Sequence, residues 1–168
     1  MKRLVVTALV LLVAACATPY QQVGTSVAGG YSTNRLSTEA FEVRFSGNGF
    51  TDPKRAYDFA FLRAAEVALE HNFPYFVLIG HQDDTSTEII RGNPTSYTTG
   101  TVNSYGGYGT YSGTTTTYSN NIPVTKPDIA LRIFCLESPD ALGKHAGTVY
   151  TAEDVKRELR QKYGLDKP

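Results

Sequence analysis

Apolar residues fall into a few short rhythms along the chain, and the clearest lies between Asp52 and Gly80. Projected at about 100° per residue, Tyr57, Phe61, Ala64, Ala65 and Ala68 share one face with Leu62 and Leu69 beside them, while Arg55, Arg63, Glu66 and Glu70 lie opposite. This spacing predicts a helix with one packed side and one wet side. Asp52 can accept hydrogen bonds from the first free N–H groups, and Pro53 at the first helical position sacrifices no bond. Asn72 suits a left-handed cap and Pro74 forbids continuation, so the helix should stop by about His71. Tyr75 to Ile79 is then an unbroken apolar run, the pattern of a strand covered on both faces and expected at the centre of a sheet.

Other segments carry a period of two. Phe41, Val43 and Phe45 alternate with Glu42, Arg44 and Ser46, which predicts a strand with one buried face. Tyr31 to Leu36 is a weaker candidate that Ser37-Thr38-Glu39 can turn back onto it. His81 to Ile90 reads as a strand running on out of the core. Lys126 to Leu136, with Ile129, Leu131 and Ile133 in alternation, is expected to pair antiparallel with the Tyr75 strand. The helix between the Phe41 and Tyr75 strands fits a right-handed crossover that would make those two parallel. After a connector from Pro139 to Gly147, Thr151 caps a second helix with a thin stripe of Val155, Leu159 and Tyr163, closed by Gly164. Gly92 to Ile122 contains no Asp, Glu, Lys or Arg and is built almost wholly from Thr, Gly, Tyr, Ser and Asn. It is too polar for a core and too rich in glycine for a helix, so a mobile inserted loop is the first expectation, although its Thr and Tyr content permits an extended hairpin.

These elements predict an α+β domain: a small mixed sheet of three to four strands, one main helix on a face, a long low-complexity loop at 92–122 and a C-terminal helix.

The N-terminus gives an address. Met1-Lys2-Arg3 is a positive n-region, and Leu4 to Ala15 is an apolar stretch that fits a signal h-region and falls short of a membrane span. Val13-Ala14-Ala15-Cys16 resembles the bacterial lipobox, in which a cysteine is acylated and becomes the new N-terminus. The expected organisation is a leader at 1–15, a lipidated N-terminus and polar tether at 16–28, and one domain at 29–168 with order starting near Gly29. Ala17 follows the cysteine where Asp would favour inner-membrane retention in sorted lipoproteins, so the resemblance implies the outer membrane, and the anchored chain is expected to face the periplasm.

Charge adds little. Lys2 and Arg3 leave with the leader, so 16 basic and 16 acidic side chains become a balance of about −2 without blocks, which is no footprint for nucleic acid. Cys135 is the second of two cysteines and lies among Ile133, Phe134 and Leu136, the setting of a buried free thiol.

Candidate chemistry is sparse. His71, His81 and His145 are isolated in sequence. His81 with Asp83 and Asp84 is the nearest approach to a ligand cluster, but it lacks the repeated His or Cys spacing of metal sites, so neither metal nor cofactor is predicted. His71 suits a helix C-terminus. No nucleophile elbow or phosphate loop is present, and adjacent Asp83 and Asp84 point to opposite faces of a strand. Asp58 projects about 60° from Phe61, toward the packed side, and Arg44 or Arg132 could pair with it. Tyr97, Tyr105, Tyr108, Tyr111 and Tyr118 are spaced by Ser, Thr, Gly and Asn, which joins large amphipathic contacts to adaptable hydrogen bonding and makes them the candidate partner-binding residues. A solvating insertion with incidental tyrosines is the bland alternative.

Thr18-Pro19-Tyr20, Gly29-Gly30-Tyr31-Ser32, Arg35-Leu36, Phe45-Ser46-Gly47-Asn48, Thr51 and Arg63-Ala64-Ala65-Glu66 resemble a family of small uncharacterised bacterial lipoproteins with TPY, GGYS, F-x-GN and RAAE motifs. The resemblance covers about Cys16 to Ile79, implies a cell-envelope lipoprotein, and brings no catalytic residues. The expected function is a non-enzymatic, outer-membrane-anchored module that binds an envelope protein or glycan; an envelope hydrolase with an unrecognised site and a purely structural component are the alternatives.

Overall fold

A computed structural model describes residues 17–24, 29–105, 107–141 and 147–166. The leader at 1–15, Cys16, residues 25–28, His145 and part of the connector after Pro139 lie outside the described residues. Among the described residues the chain forms nine strands: β1 (Gly30–Arg35), β2 (Ala40–Ser46), β3 (Tyr75–Asp83), β4 (Ser86–Arg91), β5 (Thr95–Tyr105), β6 (Tyr108–Tyr118), β7 (Asn121–Lys126), β8 (Asp128–Leu136) and β9 (Val149–Thr151). Two helices complete the described elements, α1 (Pro53–Glu70) and α2 (Ala152–Tyr163).

α1 begins and ends where the sequence requires. Asp52 Oδ1 accepts from the N–H groups of Lys54 at 2.9 Å and Arg55 at 3.2 Å. At the other end Asn72 takes φ 66° and the Phe73 N–H donates to the Ala68 carbonyl, closing the last turn. Burial is wider than one face. Leu62 and Val67, like Phe59 and the run of alanines, are fully buried. Arg63 and Glu66, expected on the wet side, keep side chains only 13% exposed. The reason is that α2, β1 and Tyr20 cover them: Arg160 and Tyr20 donate to Glu66, and the Arg63 guanidinium lies over the Tyr31 ring.

The main sheet has the strand order β1-β2-β8-β3-β9, and its pairings are antiparallel throughout. β8 therefore occupies the centre, and β3, expected there, lies beside it. β2 and β3 run in the same direction, as the crossover implied, but β8 separates them. Phe41, Val43 and Phe45 of β2 stand opposite Ile133, Leu131 and Ile129 of β8, and these rows make the core under α1. The pleat sends Glu42, Arg44 and Arg132 to the other face, where Arg132 Nε donates to Glu42 at 2.8 Å. Between Leu78 and Gly80 the register of β3 slips by one residue, leaving Ile79 unpaired and 57% exposed, which is a bulge.

The expected α+β architecture is thereby overturned. Strand outweighs helix, 49% to 22%, and the sheet has five strands in place of three to four. Strands β7 and β9 were not expected, and β5 and β6 only as the hairpin that the Thr and Tyr content permits. β9 has three residues, too few to show a period. The stretch expected to be a long low-complexity loop is strand for most of its length, β5 and β6 being paired from Thr95–Tyr118 to Tyr105–Tyr108.

The N-terminal segment also departs from expectation. Thr18 is fully buried, its N–H donating to Thr51 Oγ1 at 3.0 Å while its hydroxyl accepts from the Asn48 N–H at 2.9 Å. The Tyr20 ring lies tilted at 4.9 Å from Tyr31 and edge to face at 5.3 Å from Phe59. Packed order thus begins well before Gly29, because these polar side chains find partners inside the domain.

The chain divides into two compact units, Met1–Ser86 with Thr125–Pro168, and Thr87–Val124. In the second, β4 pairs with β7 and β5 with β6.

Candidate binding surface

The β5–β6 hairpin is eleven residues on each side. Its sequence shows no apolar alternation because neither face is covered. Other contacts hold it. Gly107 has φ +85°, the left-handed conformation that a two-residue hairpin turn requires. On one face Ser96 Oγ lies 2.8 Å from Thr117 Oγ1, and Thr98 Oγ1 lies 2.9 Å from Thr115 Oγ1, two rungs of a hydroxyl ladder. Next along that face, Gly100 stands opposite Gly113, and the Tyr111 ring lies across both. A Cβ on Gly100 would come to 2.6 Å from the ring and one on Gly113 to 2.5 Å from its hydroxyl, so the pair of glycines is the seat that Tyr111 needs.

The opposite face carries Tyr97, Tyr108 and Tyr118. Tyr97 and Tyr118 meet edge to face with centroids 6.2 Å apart, a diagonal cross-strand pair. Tyr108 is 85% exposed beside the turn, roughly 30 Å along the strand from Tyr118 at 3.3 Å per residue. Thr110, Ser112, Thr114 and Thr116 fill the same face between them. Tyr105 pairs with Tyr108 in register. The sequence treats the five tyrosines as one group. The structure splits them, with Tyr111 used to order the hairpin and Tyr97, Tyr108 and Tyr118 displayed on the other side.

The remaining candidates take structural places. His71 Nδ1 lies 2.9 Å from the Val67 carbonyl, at the end of α1 as its position implied, with its ring 4.5 Å from Phe41. His81 packs against Tyr57 and borders a small cavity of about 80 Å³ shared with Glu42 and Arg132. Asp83 accepts from the Thr85 N–H, whereas Asp84 accepts from Gln82 and from Arg44, which also reaches Asp128 at 2.9 Å. Among the described residues no three His, Cys, Asp or Glu side chains converge as a metal-ligand group. Asp58 does not meet Arg44 or Arg132. Burial would raise its pKa, but hydrogen bonds from Lys162 and Tyr163 outweigh that and hold it below the usual carboxylate value.

One cluster was not foreseen. A groove of about 470 Å³ is bordered by Tyr31, Arg63, Glu66, Glu70 and Lys156. Its charges answer each other: Arg63 binds Glu70 at 2.6 Å and Arg160 binds Glu66 at 3.1 Å. Burial first, and the bond to Glu66 second, push the Tyr20 phenol far above its ordinary pKa, so it stays a neutral donor. The arrangement braces α1 against α2 and the N-terminal segment. The helical projection, which puts Arg63 and Glu66 on the wet side, gave no sign of it.

Compared with protein-family models, with curated proteins and with solved structures, the chain matches none.

Proposed function

We propose that this protein is a non-enzymatic lipoprotein of the bacterial cell envelope, acylated at Cys16, retained at the outer membrane, and using the Thr95–Tyr118 hairpin to recognise a protein or glycan partner. The anchor rests on the leader and the Val13–Cys16 motif, with two or more acyl chains giving stable attachment where one is marginal. The recognition role rests on one observation: an uncharged, internally ordered hairpin displays Tyr97, Tyr108 and Tyr118 with 62 to 85% of each exposed. Rigid amphipathic rings among short hydroxyl side chains bind at low entropic cost.

The test is crosslinking in intact cells. Changing the displayed Tyr97, Tyr108 and Tyr118 to serine, with Tyr111 kept to hold the hairpin, should remove the crosslinked partners while the circular dichroism spectrum holds. Crosslinks of undiminished intensity in that variant would exclude the hairpin as the recognition surface. For the anchor, Cys16→Ser should abolish labelling by a fatty-acid analogue.

A further inference from the structure

Thr18 is only two residues beyond Cys16, and it is fully buried and hydrogen bonded at both its N–H and its hydroxyl. Two residues of extended chain reach about 7 Å. An acylated Cys16 therefore leaves no free tether, and whatever surrounds Thr18 is held at the lipid. What surrounds it is one turn. Asn48 to Thr51 closes through the Thr51 N–H to the Asn48 carbonyl at 3.0 Å, and both of its end residues bond Thr18. A turn of this kind keeps its ends within about 7 Å. Its third residue is Phe50, 75% exposed. A single exposed aromatic is ordinary on a protein surface, but this one projects from the clamp that holds the last residues before the anchor. Lys54, whose side chain is 74% exposed, follows on the first turn of α1.

We infer that the domain docks directly on the membrane surface, with the Phe50 ring inserted at the boundary of headgroups and acyl chains and Lys54 among anionic headgroups. This rests on the acylation of Cys16 proposed above. Chain length argues for lipid as the occupant of the Phe50 surface, since the clamp on Thr18 lies only two residues from the anchor.

The chain contains no tryptophan, so Phe50→Trp introduces a single reporter at an exposed position. Leu36→Trp is its control: Leu36 is 50% exposed just beyond the end of β1, roughly 20 Å along that strand from Gly30, whose neighbour Gly29 adjoins Thr18. Full-length acylated protein, purified from cells, is reconstituted with vesicles of phosphatidylethanolamine and phosphatidylglycerol brominated in their acyl chains. Intact mass and flotation establish the anchor independently. The expected result is blue-shifted emission and several-fold stronger quenching for Phe50→Trp than for Leu36→Trp. Protein that carries acyl chains and floats, but quenches equally weakly at both positions, overturns the docked orientation and leaves the anchor standing. A chain without acyl groups that fails to float overturns both.

Discussion

The Tyr163 hydroxyl donates a 2.7 Å hydrogen bond to Asp58 Oδ2, tying the end of α2 to the first turns of α1 across most of the sequence. Lys162 donates to the same oxygen, so a carboxylate with only 10% of its side chain exposed meets a cation and a phenol together.

Asp58 should therefore make stability depend on acid. Its folded pKa lies below the unfolded value, so its contribution is present above the unfolded pKa and is lost as pH falls through the folded one. Asp58→Asn should cost about 1 to 3 kcal/mol near neutral pH and flatten the loss of stability below about pH 4. Urea melts of both proteins from neutral to acid pH test this. An unchanged acid limb would show that the contact carries no net energy.

Thr18→Val should destabilise the first unit by about 1 to 3 kcal/mol, since it keeps the N–H bond to Thr51 but removes the buried hydroxyl that accepts from the half-buried Asn48 N–H. A segment that served only as a tether would show no effect. Chemical denaturation of the soluble Cys16→Ser form separates the two.

Gly113→Val should displace the Tyr111 ring, because any side chain there meets it within 2.5 Å. Loss of amide protection confined to β5 and β6 is expected, with the thermal midpoint of the main transition moving little. Hydrogen exchange by mass spectrometry reads both.

Replacing Asn93 to Asn121 with a short Gly-Asn-Gly turn should leave that midpoint nearly unchanged. Among the described residues the buried core draws no side chain from Thr87–Val124. Calorimetry of the deletion variant decides it, and a large loss of stability would mean that the hairpin supports the fold.

Cys135, 1% exposed, should react with thiol reagents only after denaturation. Burial and the nearby Glu39 carboxylate push its pKa up to about 12, which removes the reactive thiolate at neutral pH. Rapid labelling of the native protein would contradict the placement of β8.

What could be read from the sequence was local and apolar. Asp52, Asn72 and Gly164 mark helix ends through backbone chemistry that no distant contact alters, and the alternation in β2 and β8 follows from one buried face. What escaped depended on partners far along the chain. Period-two reading needs contrast between faces, and the β5–β6 hairpin has none, its order coming from hydroxyl pairs and from Tyr111 over two glycines. Thr18 and Tyr20 look like linker residues until Thr51, Asn48 and Glu66 are brought to them. Asp58 lies toward the packed side as its projection implies, but its partners sit on a helix whose Val155, Leu159 and Tyr163 stripe marks a packed face without showing what that face meets. The candidate surface was legible as composition, while the division of its tyrosines between two faces required the register.

The pairings β3 with β8, β4 with β7 and β5 with β6 are nested one inside another. A disordered insertion of that length would have to close by random search before β8 could enter the sheet, and contacts so distant in sequence slow folding. Nested hairpins offer another route, since the local turn at Gly107 can form within microseconds and each pair then brings the next into reach. The insertion would thus act as a zipper that delivers the central strand. An equally long Gly-Ser segment in its place should slow refolding by stopped flow, whereas the short-turn variant should not.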